Sequence, residues 1–236
     1  MSEKVQTFYR NENLFYRLVR SKFFWIAFCL IGFSYPIYRS LNRELPAPLP
    51  TYGIVPDFKL KNEFNESFGS TELKGKFYIA NFMFTSCPST CPALMEKMDQ
   101  VQKRIRGLGT KAQIVTFTVD PENDFPEILN KFARKRNANP HVWKFLTGPR
   151  ADLEQVVVDG FKVPMGKKEA VEMQVENQKV TLMDIAHSDK VVLVDTTGKI
   201  RGYYSTDKIG IDRLMIDLGL LVNDSFNYNL KPKEIN

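Results

Sequence analysis

The chain has 236 residues, 43% of them hydrophobic and 12% aromatic, a composition that suits a packed globule of one or two domains and excludes a disordered chain. Its formal net charge of +6 is unevenly placed: residues 1–22 hold five basic side chains against Glu3 and Glu12, a net +3, which leaves +3 for everything after. So small and scattered an excess excludes a nucleic-acid-binding surface, and three cysteines are too few for a secreted scaffold stapled by disulfides.

In chain order, Phe23 to Tyr38 (FFWIAFCLIGFSYPIY) carries no charged residue and is bracketed by Arg20 and Lys22 before it and Arg39 and Arg43 after it. At 16 residues it is slightly shorter than an ordinary spanning helix, but Tyr35 and Tyr38 suit an interface and the basic neighbours can snorkel. Pro36 fits a helix terminus better than its centre. A buried core helix would not be so uniformly apolar beside a basic terminus. A cleaved signal peptide needs a small-x-small site that Ser34 to Asn42 does not offer, and Phe28 before Cys29 does not match lipoprotein cleavage. The expectation is an uncleaved single-pass anchor over residues 23–38. Five basic residues before it and two after predict a cytoplasmic amino terminus (1–22) and a domain outside. A mitochondrial presequence would be acid-poor, so a bacterial inner membrane with a periplasmic domain is expected.

Residues 39–51, with the run LPAPLP at Leu45–Pro50, read as an extended linker. The domain proper is expected over 52–222 and a frayed polar tail over 223–236. Asp57–Phe68 alternates around Asn62 and Asn65, as a hairpin does. Phe77–Thr85 is a first central strand and Pro92–Arg106 a long helix, stopped by Gly107 and Gly109. Gln113–Val119 is a second strand. Phe125–Arg136 is a helix with Phe125, Ile128, Leu129 and Phe132 spaced for one buried face. Val142–Leu146 is a third strand and Asp152–Asp159 a short helix. Residues 161–183 form an insertion that reads as a hairpin. Val191–Asp195 and Ile200–Tyr204 make a further hairpin, and Asp207–Leu220 a closing helix. The order β-α-β-α-β-α-β-β-α, with a cysteine pair after the first core strand, describes an α/β, thioredoxin-like sandwich, a central mixed sheet with helices on both faces, in addition to the N-terminal transmembrane helix.

The pair is Cys87-Pro88-Ser89-Thr90-Cys91. It lies at the carboxyl end of a central strand, where open α/β sheets place ligands, and at the amino end of a helix, whose dipole favours thiolate. Cysteines four apart in a first helical turn can face one ligand, although a disulfide is also within reach. Two soft thiolates select copper(I) or zinc, and a third ligand must be sought. The chain has two histidines. His141 sits in a turn before a strand and reads as exposed or capping. His187 immediately precedes Val191–Asp195, whose entering loop packs beside the cysteine loop in such a sheet, yet a lone loop histidine can as well be solvated. Asp124 and Glu127 have the spacing of a capping box, and Asp120 ends a strand near the cleft. Met95, Met98, Met165, Met173 and Met183 could offer thioether to copper(I), but methionine at helical spacing reads as core.

Several of these segments together carry a resemblance: Phe84-Thr85-Ser86-Cys87-Pro88-Ser89-Thr90-Cys91-Pro92, then Thr118-Val119-Asp120-Pro121-Glu122-Asn123-Asp124-Phe125-Pro126, then His187-Ser188 leading into Leu193-Val194-Asp195 and Gly198-Lys199-Ile200-Arg201-Gly202-Tyr203. Over about residues 52–220 the chain resembles the Sco/SenC family, membrane-anchored copper-binding proteins of cytochrome c oxidase assembly. The resemblance implies copper as the ion, Cys87, Cys91 and His187 as its ligands, and the copper-bearing oxidase subunit as partner, with a periplasmic copper donor or a thioredoxin-like reductant upstream. Two readings follow: a copper metallochaperone serving the CuA centre, or a thiol-disulfide oxidoreductase in which Cys87 and Cys91 are the redox pair that reduces the oxidase cysteines. Against the enzyme, no proline occurs between Met165 and Leu230 where thioredoxin enzymes carry one. A peroxiredoxin is not expected, because Phe84 and Pro88 stand three residues before the two cysteines, where Thr or Ser should precede the reactive one.

Overall fold

The computed structural model describes residues 20–41, 48–87, 90–166, 168–175, 178–185 and 190–230. The chain forms two compact units, Met1–Pro48 and Leu49–Asn236. In the first, helix α1 (Lys22–Leu41, 20 residues) covers the apolar N-terminal run. The expected membrane crossing is corrected here: among the described residues no helix is long and apolar enough to span a bilayer. The physical reason is dilution, since Lys22 and Arg39 lie inside the helix and Gly32, Ser34, Tyr35, Pro36 and Tyr38 weaken its second half. Pro36 is also internal rather than terminal, at the cost of one helical hydrogen bond. The linker expected from residue 39 starts later, because α1 runs on through Leu41; its residues 42–47 fall outside the described set.

The second unit is built on an eight-stranded sheet in the order β1-β10-β9-β4-β5-β6-β2-β3. Its centre is β4 (Phe77–Met83) beside β5 (Ala112–Thr118), parallel along seven register pairs, with β6 (Trp143–Thr147) parallel to β5. Every residue of β4 and β5 is buried, as near-continuous apolar, β-branched runs require when helices cover both faces of a parallel sheet. Two helical crossovers join them: α3 (Thr90–Ile105) between β4 and β5, and α4 (Pro126–Lys135) between β5 and β6. A tight turn over Arg106–Lys111, with Gly109 at φ 57°, separates α3 from β5, close to where the glycines placed the stop. Antiparallel strands close the sheet. On one side are β9 (Val191–Val194), β10 (Lys199–Tyr204) and the short β1 (Gly53–Ile54); on the other, the hairpin β2 (Lys59–Asn62) and β3 (Ser67–Gly69). Asn65 turns that hairpin at φ 63°, a conformation asparagine tolerates. The thioredoxin-like mixed sheet with helices on both faces is therefore present. Residues 168–185 form the expected hairpin, β7 (Lys168–Val175) with β8 (Gln178–Ile185), as a separate two-stranded sheet.

Alternation along the strands divides the core. On one face Phe82 and Phe117 stack at 5.9 Å and meet Phe161, which follows the short helix α5 (Arg150–Glu154) and its wide continuation Gln155–Gly160. On the other, Trp143 and Phe145 stack at 5.1 Å, and Phe132 of α4 meets Phe145 edge-on. The inward face of α4 is Leu129, Phe132 and Ala133, whereas Phe125 and Ile128, expected to be inside, are 55% and 38% exposed. Phe125 caps the helix and Pro126 opens it, so the inward stripe begins one turn later than periodicity alone suggests. Met95 and Met98 are fully buried in the core, as expected of filler. The closing helix α6 (Lys208–Leu230) runs ten residues past its expected end, so the tail expected from Asn223 is helical as far as Leu230.

One polar relay crosses this core. The buried Trp143 Nε1–H donates to Thr116 Oγ1 (2.8 Å), and that hydroxyl donates to Asn81 Oδ1 (3.0 Å). Thr116→Val keeps the shape and leaves a buried indole N–H and amide oxygen without partners. It is expected to cost about 2–3 kcal/mol in urea unfolding, while Thr116→Ser, which retains the hydroxyl, stays close to wild type.

Candidate metal centre

The parallel strands β4, β5 and β6 end at one edge of the sheet, and the cysteine loop leaves β4 there. Beyond Met83 come the buried Phe84, a turn over Thr85–Ser86, and Cys87, whose N–H donates to Phe84 O (3.3 Å) and which is only 8% exposed. Cys91 lies in the first turn of α3. Strand β9 runs antiparallel to β4 (Ala80 opposite Val192, Tyr78 opposite Val194), so it starts at the edge where β4 ends. His187, four positions ahead of Val191, lies outside the described residues, as do Pro88, Ser89 and the side chain of Cys91. Among the described residues no group of three His, Cys, Asp or Glu is placed to hold a metal ion. The competing imidazole is at the wrong end. His141 precedes the amino end of β6, exposed, with its N–H on Asn139 Oδ1 (3.0 Å). A strand length of roughly 20 Å separates that end from the cysteine edge.

Asp124 overturns a sequence expectation. It does not cap α4: the N-cap is Phe125, without a side-chain cap bond. Its carboxylate is buried instead and takes donors from two strand ends. Thr85 N–H reaches Oδ2 at 3.1 Å, Thr85 Oγ1–H makes a short bond to Oδ1, and Thr118 Oγ1–H reaches Oδ2 at 2.5 Å. The turn that delivers Cys87 is thereby clamped to the end of β5, where Val119 N–H also extends the ladder to Met83 O (2.9 Å). Asp120 is buried beside it, accepting from Asn123 Nδ2 at 2.9 Å while its own N–H donates to Thr118 Oγ1 (3.0 Å). The residues missed in the sequence are Thr85 and Thr118; the available signal was a pair of hydroxyls at the carboxyl ends of two buried strands with a carboxylate six positions after the second. Also missed was Arg150, at the start of α5. Its Nε donates to Glu154 (2.8 Å), one terminal nitrogen to Glu122 (3.2 Å), and the other to Gly166 O (3.4 Å).

Burial raises the Asp124 carboxyl above the ordinary carboxylate range. Its bonds from Thr118 and Thr85 pull the other way and are outweighed, and the nearby Asp120 charge adds to the rise. A carboxyl that binds its proton more tightly when folded stabilises the fold below its unfolded value near 3.9, and that contribution is lost as pH rises through the raised one. Relative to Asp124→Asn, the wild-type chain is therefore expected to lose stability as pH rises from the ordinary carboxylate range through the raised value, read as urea midpoints of both chains from acid to neutral pH. Parallel curves would show that Asp124 does not titrate there.

Comparison with known proteins agrees with this architecture. The SCO1/SenC family model matches residues 47–219. The SCO1 protein homolog of Bacillus subtilis (strain 168) is 29% identical over 179 residues, 75% of this chain and 86% of its own length. The solved structure of BsSco, a member of the Sco family of cytochrome c oxidase assembly proteins in which a disulfide switch was identified, superposes with a TM-score of 0.59 at 29% identity, over 76% of this chain and 98% of BsSco. ScoI of Bradyrhizobium japonicum, solved with copper bound, shares the fold at 22% identity and a TM-score of 0.57, over 72% and 99% of the two chains. With the family pattern spanning nearly all of the sheet and its cysteine edge, the chain belongs to the SCO1/SenC family.

Proposed function

We propose that this chain is a copper metallochaperone that takes one copper ion on Cys87, Cys91 and His187 and delivers it to the CuA centre of a cytochrome c oxidase subunit during assembly. The observation that carries the reading is the shared sheet edge: Cys87 follows β4 there, and the strand that His187 leads into starts there. Two sulfurs and an imidazole suit a soft cation. Copper is cargo: each thiolate of the donor can be displaced in turn by a thiolate of the acceptor, so the ion moves without leaving coordination. The burial of Cys87 keeps the thiolate away from bulk water until a partner docks. Membership of the family and likeness to BsSco, from the oxidase assembly proteins, support the partner; the copper-bound ScoI supports only that this fold accommodates the ion. A periplasmic copper donor and a thioredoxin-like reductant complete the partner set.

The proposed oxidase partner implies a domain working on the periplasmic side of a bacterial inner membrane. Helix α1, with Phe23, Phe28, Leu30, Ile31 and Phe33 exposed, is the element that associates with lipid. A second reading, reduction of the oxidase cysteines by a Cys87–Cys91 dithiol, is favoured by the disulfide switch of BsSco and by the position of the pair at the start of α3.

A spectroscopic copper titration of the reduced chain separates the two. Wild type is expected to saturate at one ion per chain, Cys91→Ser to lose the thiolate charge-transfer intensity, and His187→Ala to bind more weakly with an altered spectrum. Unchanged affinity and spectrum in His187→Ala would remove the imidazole from the site, and robust insulin reduction without copper would favour the second reading.

A further inference from the structure

Beside β10 lies a recess of about 420 Å³, walled by Tyr52, Lys162, Val163, Pro164, Lys190 and Tyr203. Two of its walls are fixed in place. Tyr203 donates its hydroxyl to Phe161 O (3.1 Å). The Tyr52 ring meets Tyr203 edge-on at 5.8 Å, and the Tyr52 N–H donates to Ile200 O (2.9 Å). Arg201 straps down the segment that leads into β1: its Nη1 donates to Leu49 O (2.9 Å) and Thr51 Oγ1 (3.1 Å), and its Nε donates to Asp195 (2.8 Å). Lys162 and Lys190 are exposed at the recess, and among the described residues no acidic side chain lines it. Lys162 also adopts φ 56°, a backbone conformation that glycine or asparagine enters easily and a lysine does not.

We propose that this recess is a docking pocket for an acidic segment of the acceptor protein, which inserts an apolar or aromatic side chain against the tyrosines and sets its carboxylates by Lys162 and Lys190. The proposal rests on the copper-transfer reading and adds to it the place where the acceptor is held. Lys190 immediately precedes β9, at the edge where β4 ends, and Tyr203 lies opposite Val192, which in turn lies opposite Ala80 of β4. Two strand spacings, roughly 10 Å, therefore separate Tyr203 from the strand that leads to Cys87. One partner's share of an ordinary interface, about 800 Å², is wide enough to cover both. The chemistry points the same way: tyrosine rings set edge-on suit an aromatic or apolar insert, and two ammonium groups with no carboxylate in the described lining select an anionic neighbour. A recess takes a side chain that protrudes from a partner, whereas a flat bilayer meets only what projects from the domain, which favours a protein over anionic lipid. The Tyr203 hydroxyl and the strap at Arg201 hold the walls in advance, so little ordering is left for binding.

The test titrates the peptide Glu-Glu-Phe-Glu-Glu into the apo full chain in a neutral detergent and follows the backbone amides by NMR, with Glu-Glu-Ala-Glu-Glu and Lys-Lys-Phe-Lys-Lys as counterparts. Copper is absent, so the outcome is independent of the ligand set, which the copper titration tests separately. Wild type is expected to bind the first peptide with shifts centred on Tyr52, Lys162 and Tyr203, and more weakly as salt is raised. Lys162→Asn, which keeps the left-handed turn, combined with Lys190→Gln is expected to weaken binding about tenfold. Lys135→Gln, an exposed lysine at the end of α4, is expected to leave it unchanged. Tyr52→Ala removes an exposed ring, so it reads the pocket should the double variant fail to fold, and it is expected to bring the phenylalanine peptide down to the alanine one. Shifts spread over the surface, equal binding of the lysine peptide, or an equal loss in Lys135→Gln overturns the proposal. So does binding to phosphatidylglycerol vesicles that the double variant loses while neither acidic peptide binds, which would make the recess a lipid site.

Discussion

One buried carboxylate holds the ends of two parallel strands together. Where β4 and β5 stop, their ladder stops too, and the backbone that carries the chain toward Cys87 needs donors and acceptors from elsewhere. Asp124 supplies the acceptors, taking the N–H and hydroxyl of Thr85 and the hydroxyl of Thr118. Taking a carboxylate out of water is unfavourable, as its raised proton affinity records. The arrangement persists because several donors on two strand ends converge on it. The cysteine turn thus hangs from the rigid centre of the sheet, which is where a ligand geometry can be held.

The rest of the edge follows from strand direction. Parallel β4, β5 and β6 put the cysteine turn, the Asp120–Asp124 loop and the start of α5 on one side of the sheet, and His141 on the other. Antiparallel β9 brings the chain after His187 to the cysteine side. The copper site proposed above draws its donors from distant parts of the sequence, the two cysteines from the segment after β4 and His187 from the chain entering β9. The Cys87 turn and the Asp120–Asp124 loop stand at the rim, away from the aromatic layers of Phe82, Phe117 and Phe161 on one face and Trp143, Phe145 and Phe132 on the other.

Much of this was legible in the sequence, because it depends on local pattern. The largely apolar and β-branched runs Phe77–Met83 and Ala112–Thr118 announce strands buried on both faces, the asparagines of residues 62–65 announce a turn, and a Cys-x-x-x-Cys between strand and helix announces a soft-ligand or redox edge. The hairpin of residues 168–185 and the order of elements were legible for the same reason. Less legible were features that depend on what packs opposite. Phe125 and Ile128 fit the helical period of α4 but face out, since the sheet meets that helix from Leu129 onward. Helix α6 continues to Leu230 through residues whose polarity suggested fraying.

What the sequence determined by itself is the element order, the family, and the identity of two thiols and two imidazoles as candidate donors, all properties of neighbouring residues and their spacing. What only the tertiary structure decided is that His141 lies at the end of the sheet away from Cys87 and what Asp124 does. Its spacing to Glu127 is that of a helix cap, yet it binds a threonine 39 positions away. A carboxylate takes the best donors that folding brings to it, and those donors come from parallel strands whose register no local pattern records.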